Sequence, residues 1–221
     1  RLFEPIAELY ELPKYNEIDL TPYFAPFYMI FFGLALGDIG YGAFLLLVST
    51  VFKALKKKSI SMTMRGTMSL VQILGASTML CGLLQGGFFG YSIYEINSPF
   101  INRLESMLYF DNAQMFTLSL ILGVVQIMFG MILKIFNRIK QFGFKHALSS
   151  IGWFVFLLSI IVSYLYPPLM PMGGTIHSGV MIATGVLIVF FNSPGKNPLV
   201  NIGTSLWDAY NMATGLLGDI L

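Results

Sequence analysis

Apolar runs separated by short charge clusters set the rhythm of the chain. Phe24 to Phe52 carries one charge, Asp38, and Gly66 to Tyr94 carries none. Asn112 to Leu133 is uncharged, and His146 to Gly195 contains no Asp, Glu, Lys or Arg. A helix needs about 20 apolar residues to cross a hydrocarbon core of about 30 Å. Gly66–Gly90, Gln114–Leu133 and Ala147–Tyr166 meet that length, and Thr175–Asn192 is short but sufficient. Pro167, Pro168, Pro171, Gly173 and Gly174 break the last two apart, and Asn192-Ser193-Pro194-Gly195 ends the later one. The pattern predicts a polar lead-in over 1–22, with Pro5, Pro13 and Pro22 as breakers. A transmembrane helical domain over 23–221 follows. Its helices are expected at roughly 24–36, 40–53, 66–90, 114–134, 147–166, 175–192 and 202–221. The fold class is therefore all-α, a polytopic transmembrane helix bundle.

The charge clusters orient the spans, because short loops rich in Lys and Arg stay in the cytoplasm. Lys53 to Arg65 holds five bases and no acid, and Lys134 to Lys145 holds four bases and no acid. Between them, Glu95 to Asp111 holds three acids and one base. The two basic loops are expected inside, as is Lys196. Glu95–Asp111 and the uncharged Pro167–Gly174 turn are expected outside. Tyr91, Tyr94, Tyr109, Tyr164 and Tyr166 fall near the outer boundaries, as an aromatic belt does.

The first apolar stretch has two readings. One tilted helix over Phe24–Phe52 would put Arg1–Asp19 outside; a hairpin would keep it inside. The middle reads Gly37-Asp38-Ile39-Gly40-Tyr41-Gly42. Three glycines make a poor helix centre, each costing about 1 kcal/mol relative to Ala, and they make a good turn. Loop charge also favours an even number of crossings before Lys53.

Composition narrows the function classes. Of 221 residues 56% are hydrophobic and 11% charged, against about 25% charged in soluble domains. A soluble enzyme, a disordered tail and a nucleic-acid binder are excluded. The net charge of +2 carries no partner signal. The single cysteine, Cys81, allows neither an internal disulfide nor a thiolate metal site. No phosphate loop, Ser/His/Asp set or His-Glu-x-x-His is present. No cofactor, metal or nucleotide is expected, and the chain is not expected to be an enzyme. The first residue is Arg1 and there is no signal segment, so the sequence reads as part of a longer protein.

Several residues stand out against this apolar background. Gly82, Gly86 and Gly90 form a double small-xxx-small pattern, and Gly33/Gly37 another, both suited to close helix packing. Asp38 is either a turn cap or part of an ion path, since intramembrane carboxylates are paired or functional. Gly123, Gln126 and Gly130 share one helix stripe, with the amide either bonded to a neighbour or lining a hydrated path. His177 starts a helix on the outer side, with packing or outer-channel gating as its two readings. His146, beside Lys145, reads as interfacial. Asp208, Asn211, Gly215, Gly218 and Asp219 fall within a wedge of about 100° at 3.6 residues per turn. Polar faces of this kind point at a bundle interior or a water-filled cavity.

Ala25-Pro26-Phe27, Phe31-Phe32-Gly33 and Gly37–Gly42 together resemble the start of the membrane domain of subunit I of rotary V/A-type ATPases (V-type ATP synthases). That family is related to subunit a of the eukaryotic V-ATPase. Phe3-Glu4-Pro5, Tyr15–Asp19, Gly86–Gly90, Gly123–Gly130, Leu206–Asn211 and Gly215–Leu221 carry the likeness along the whole chain. The resemblance implies a cytoplasmic arm before Arg1, which favours the hairpin. It implies an eight-helix membrane domain, of which this chain supplies six helices and the start of the seventh. It also implies an arginine four positions past Leu221, facing the ion-binding carboxylates of a rotor ring.

On that resemblance the expected role is a non-catalytic membrane stator subunit. It would hold ion half-channels, for H⁺ or Na⁺, beside a rotor ring of proteolipid subunits. Its other partners would be peripheral stalk subunits and the bilayer, with no nucleic acid and no nucleotide. The implied location is a multi-pass cell membrane, the bacterial plasma membrane. The ion path would use Asp208, Asn211, Asp219, Gln126 and His177. Gly37, Asp38, Gly40, Gly42, Gly82, Gly86 and Gly90 would form the hairpin turn and its packing. The rival classes are a stand-alone secondary transporter, which internal repeats and a second broken helix would favour, and a purely structural anchor.

Overall fold

The computed structural model describes Phe3, Ile6 and residues 18–56, 61–192 and 198–220. Within the last segment the side chains of 198, 199, 216, 217, 219 and 220 lie outside the description. Among the described residues the chain is all-α but for one two-stranded hairpin. The helices are α1 Thr21–Leu36, α2 Ile39–Leu55, α3 Met62–Gln85, α4 Pro99–Leu108, α5 Asn112–Phe142, α6 Phe144–Leu165, α7 Thr175–Phe190 and α8 Pro198–Ile220. The strands are β1 Gly87–Phe88 and β2 Tyr91–Ser92, followed by a 3₁₀ turn at Ile93–Glu95. By length and composition α3, α6 and the stretch Pro99–Phe142 are each able to cross a membrane, and α1, α2 and α7 are shorter apolar helices. The chain divides into two compact units, the first made of Arg1–Lys14 and Asp19–Leu120, the second of Tyr15–Ile18 and Ile121–Leu221, with the main boundary inside α5.

In the first unit α3 is the spine. Phe24, Ala25 and Tyr28 of α1 pack on Leu70 and Leu74 of α3, with Phe3 and Ile6 in the same cluster. Further along, the Met29 carbonyl accepts Ser77 Oγ at 2.7 Å and the Leu34 carbonyl accepts Gln85 Nε2 at 3.1 Å. So α1 runs parallel to α3. α2 runs the other way: Gly42 meets Gly75 and Met79, Thr50 meets Gln72, and Lys53 Nζ donates to Ser69 and Gln72 at 2.8 and 2.9 Å. The chain therefore reverses between α1 and α2, and no single helix covers Phe24–Phe52. Gly37, in the left-handed region at φ 47°, ends α1, and Asp38 caps α2 by accepting Tyr41 N–H at 2.9 Å.

Two helix boundaries differ from the sequence expectation. α3 stops at Gln85 instead of running to Gly90, because Gly86 adopts φ 73° and closes the helix. Gly82, Gly86 and Gly90 therefore do not share a helix face: one packs, one caps, and one sits in a β-turn. The expected loop Lys134–Lys145 is mostly helix, since α5 continues to Phe142 and the chain turns at Gly143, φ 84°. At 1.5 Å per residue α5 is about 46 Å long, which exceeds a hydrocarbon core of about 30 Å. Its basic end thus extends past the apolar run. α8 also begins earlier than expected, at Pro198, a residue suited to a first turn because it needs no N–H partner there.

In the second unit α6 and α7 form an antiparallel pair with a small-residue seam. Gly152 lies against the Thr184 carbonyl, Leu187 and Ile188, and Ser163 meets His177. α8 then covers the end of α7. Asn201 Nδ2 donates to the Phe190 carbonyl at 2.6 Å, and Ser205 Oγ to the Val189 carbonyl at 2.9 Å. Among the described residues these carbonyls have no intrahelical donor, so the α8 side chains satisfy a helix end that would otherwise be costly to bury.

Candidate functional site

In the first unit, the hairpin tip is a closed knot around Asp38. Oδ1 accepts Tyr41 N–H and Phe89 N–H, each at 2.9 Å, and Oδ2 accepts Gly90 N–H at 2.9 Å. Asp38 is 5% exposed. The two N–H groups of the β-turn reach it because Phe89 and Gly90 both have positive φ, 49° and 82°, the geometry of a two-residue hairpin loop. Phe89 is strained there for a residue with a Cβ. Its ring covers Gly40 and meets Tyr41 edge-on at 5.3 Å. Behind the knot, a Cβ on Gly82 would lie 2.4 Å from Ile39 N. Tyr94 closes the side by donating to the Leu83 carbonyl and stacking its edge on Tyr109. Burial and nearby Glu105 raise the Tyr94 phenol above its ordinary range, which keeps it a donor. Of the two readings of Asp38, this geometry gives the carboxylate a structural task.

In the second unit, the polar residues of α8 open onto a cavity of about 230 Å³. Lys134, Arg138, Ser149, Ser150, Trp153, Asn192, Asp208, Asn211 and Met212 line it. By this measure one water needs only about 10–15 Å³, so the space is large enough to be hydrated. Asp208 Oδ2 accepts Asn192 Nδ2 at 2.6 Å. Two basic side chains face one carboxylate, a formal net charge of +1 for the lining.

The expected ion-path residues separate in space. Asp208 and Asn211 share the cavity. Asp219 lies in α8, with its side chain outside the described residues. Gln126 is exposed on α5, and Gly123 and Gly130 of its stripe have open space beside them. His177 is buried, with Nδ1 2.9 Å from Ser163 Oγ, in the α6–α7 seam. The His146 ring lies tilted beside Phe142 at 5.9 Å, its Nδ1 unpartnered among the described residues. Lys134, Arg138, Ser149, Ser150 and Asn192 were not singled out by sequence. Their available signal was the i, i+4 spacing of Lys134 and Arg138, hidden by reading that segment as loop.

Over most of its length the chain is similar to subunit I of A-type and V-type ATP synthases. It is 25% identical to the A-type subunit of Methanocaldococcus jannaschii over 99% of this chain and 35% of that protein. It is 30% identical to the A-type subunit of Methanothermobacter thermautotrophicus over 86% of this chain and 28% of the relative. The V-type subunit of Borreliella burgdorferi is 24% identical over 89% of this chain and 33% of the relative. No family profile matches the sequence. The chain spans about a third of the length of these relatives. With its apolar helices, the likeness makes this a membrane protein.

Proposed function

We propose that the chain is part of the membrane domain of a non-catalytic stator subunit in a rotary ATPase of the A/V type, embedded in a bacterial plasma membrane. The observation that carries this is a likeness to subunit I over 99% of the chain, held by a protein with several apolar helices. Its partners are then the other subunits of that machine, a rotor ring and peripheral stalks among them.

In this role the polar stripe of α8 supplies part of an aqueous route for H⁺ or Na⁺. Asp208 and Asn211 border the cavity, and Asp219 continues the stripe toward the end of α8. An ionised carboxylate facing lipid near the bilayer centre costs at least about 2.5 kcal/mol, so such a stripe favours a wet or protein-covered face. Gln126, on the uncovered face of α5, is a second polar surface for the assembled complex. His177, engaged by Ser163, is assigned to packing.

The test uses the full-length protein in its complex, reconstituted in vesicles. Asp219→Asn and Asn211→Leu should slow ATP-driven ion pumping several-fold while assembly persists. Unchanged pumping in both single variants and the double variant would remove these residues from the route.

A further inference from the structure

We propose that the cavity between α5, α6 and α8 is a binding site for a phosphate group, carried by an anionic lipid headgroup or free in solution. This goes beyond the stator reading and stands without it. Several donors that line it have no protein acceptor among the described residues, or only a weak one.

Ser149 and Ser150 are 3% and 5% exposed, and both line the cavity. Other buried hydroxyls of the helices are engaged: Ser49, Thr78, Ser159, Thr184 and Ser205 with backbone carbonyls, Ser163 with His177. Ser149 and Ser150 have no such partner among the described residues. A helical serine commonly satisfies itself on the carbonyl four residues back; these two do not. Lys134 likewise has no hydrogen bond or ion pair among the described residues, and Arg138 reaches only the His146 carbonyl, at 3.5 Å. The one carboxylate present, Asp208, accepts from Asn192 and attracts Lys134 across the cavity without forming an ion pair with it, so it balances only one of the two basic side chains.

A surplus of donors with a net positive lining selects an anion rather than a cation. A tetrahedral phosphate presents several acceptor oxygens at once. It can take the ammonium, a guanidinium edge and the two hydroxyls together, and about 230 Å³ leaves room for waters as well. The position suits a headgroup. Lys134 follows directly on the uncharged run Asn112–Leu133, and three further bases follow it by Lys145, as at the edge of a bilayer where basic side chains meet lipid phosphates. A singly charged phosphate brings the lining from +1 to neutral. That would remove the repulsion a bare cavity offers to an entering cation.

Native mass spectrometry of the full-length protein in detergent tests this, with phosphatidylglycerol, phosphatidylcholine and inorganic phosphate as separate probes. One tight phosphatidylglycerol per chain with no inorganic phosphate binding identifies the headgroup as the source. Tight binding of inorganic phosphate identifies the free ion. In either case Lys134→Gln with Arg138→Gln should weaken binding at least about tenfold, and phosphatidylcholine, which has no net charge, should bind more weakly than phosphatidylglycerol. Ser149→Ala with Ser150→Ala keeps both cations and should weaken the same probe severalfold, which covers the case in which the charge variant fails to fold. Absence of tight binding by both anionic probes, or equal binding in wild type and the serine variant, overturns the proposal.

Discussion

Two carboxylates in a sparsely charged chain are treated in opposite ways. Asp38 has three backbone N–H groups on its two oxygens and is nearly sealed from outside. Asp208 has one amide partner and borders a cavity lined by further polar groups. The cost of placing an anion in an apolar setting is met at Asp38 by hydrogen bonds that also tie three segments together: the end of α1, the start of α2 and the β-turn. At Asp208 it is met by space large enough for water and by neighbouring cations. A carboxylate whose lone pairs are committed holds a fold together, and one with lone pairs to spare beside water is available for exchange.

The contrast can be broken first at the closed knot. Gly82→Val would set a Cβ 2.4 Å from Ile39 N and 2.6 Å from the Asp38 carbonyl carbon. Backbone must move, and a loss of about 3–5 kcal/mol is expected. In detergent the melting midpoint should fall by about 10 °C. A midpoint within error of wild type would mean that α2 and α3 are not so closely opposed. Next comes Asp38→Ala, which leaves the Phe89 and Gly90 N–H groups without their acceptor and should cost about 2–4 kcal/mol. Asp38→Asn keeps one acceptor oxygen and should recover part of that loss in the same melting experiment. The open side should respond least. Ser149→Ala with Ser150→Ala removes no protein hydrogen bond found among the described residues, so the midpoint without added phosphate should change by less than about 3 °C. A larger fall would mean that these hydroxyls are already satisfied within the fold.

Much of the all-α architecture was legible in the apolar runs, because a bilayer imposes a length on every span. The short arms of the hairpin were legible through Gly37 and Asp38, residues that a continuous helix has little use for. Helix ends were less so. Gly86 reads equally well as a packing glycine or a C-cap, and only the β-turn beyond it decides. The strands β1 and β2 are two residues each, and Phe89 at positive φ carries no sequence signal at all. The cavity was half legible. Asp208 and Asn211 stand out by periodicity on one helix, but Lys134, Arg138 and Ser149 join them from two others. Neither a charge run nor a serine pair announces what it will face. Asn201 and Ser205 went unnoticed for a related reason: their task is to satisfy carbonyls of another helix, and backbone acceptors leave no trace in side-chain patterns.

On this picture α8 borders an aqueous space while the α1–α2–α3 core is closed. Single cysteines test it in the full-length protein with Cys81 replaced by Ala. Asn211→Cys is placed at the cavity, and Thr78→Cys at a position with 0% exposure in the first unit. A hydrophilic, membrane-impermeant maleimide is applied to open membranes. Rapid labelling is expected at 211 and essentially none at 78. Comparable labelling at both positions, or protection at 211 with reaction at 78, would contradict it.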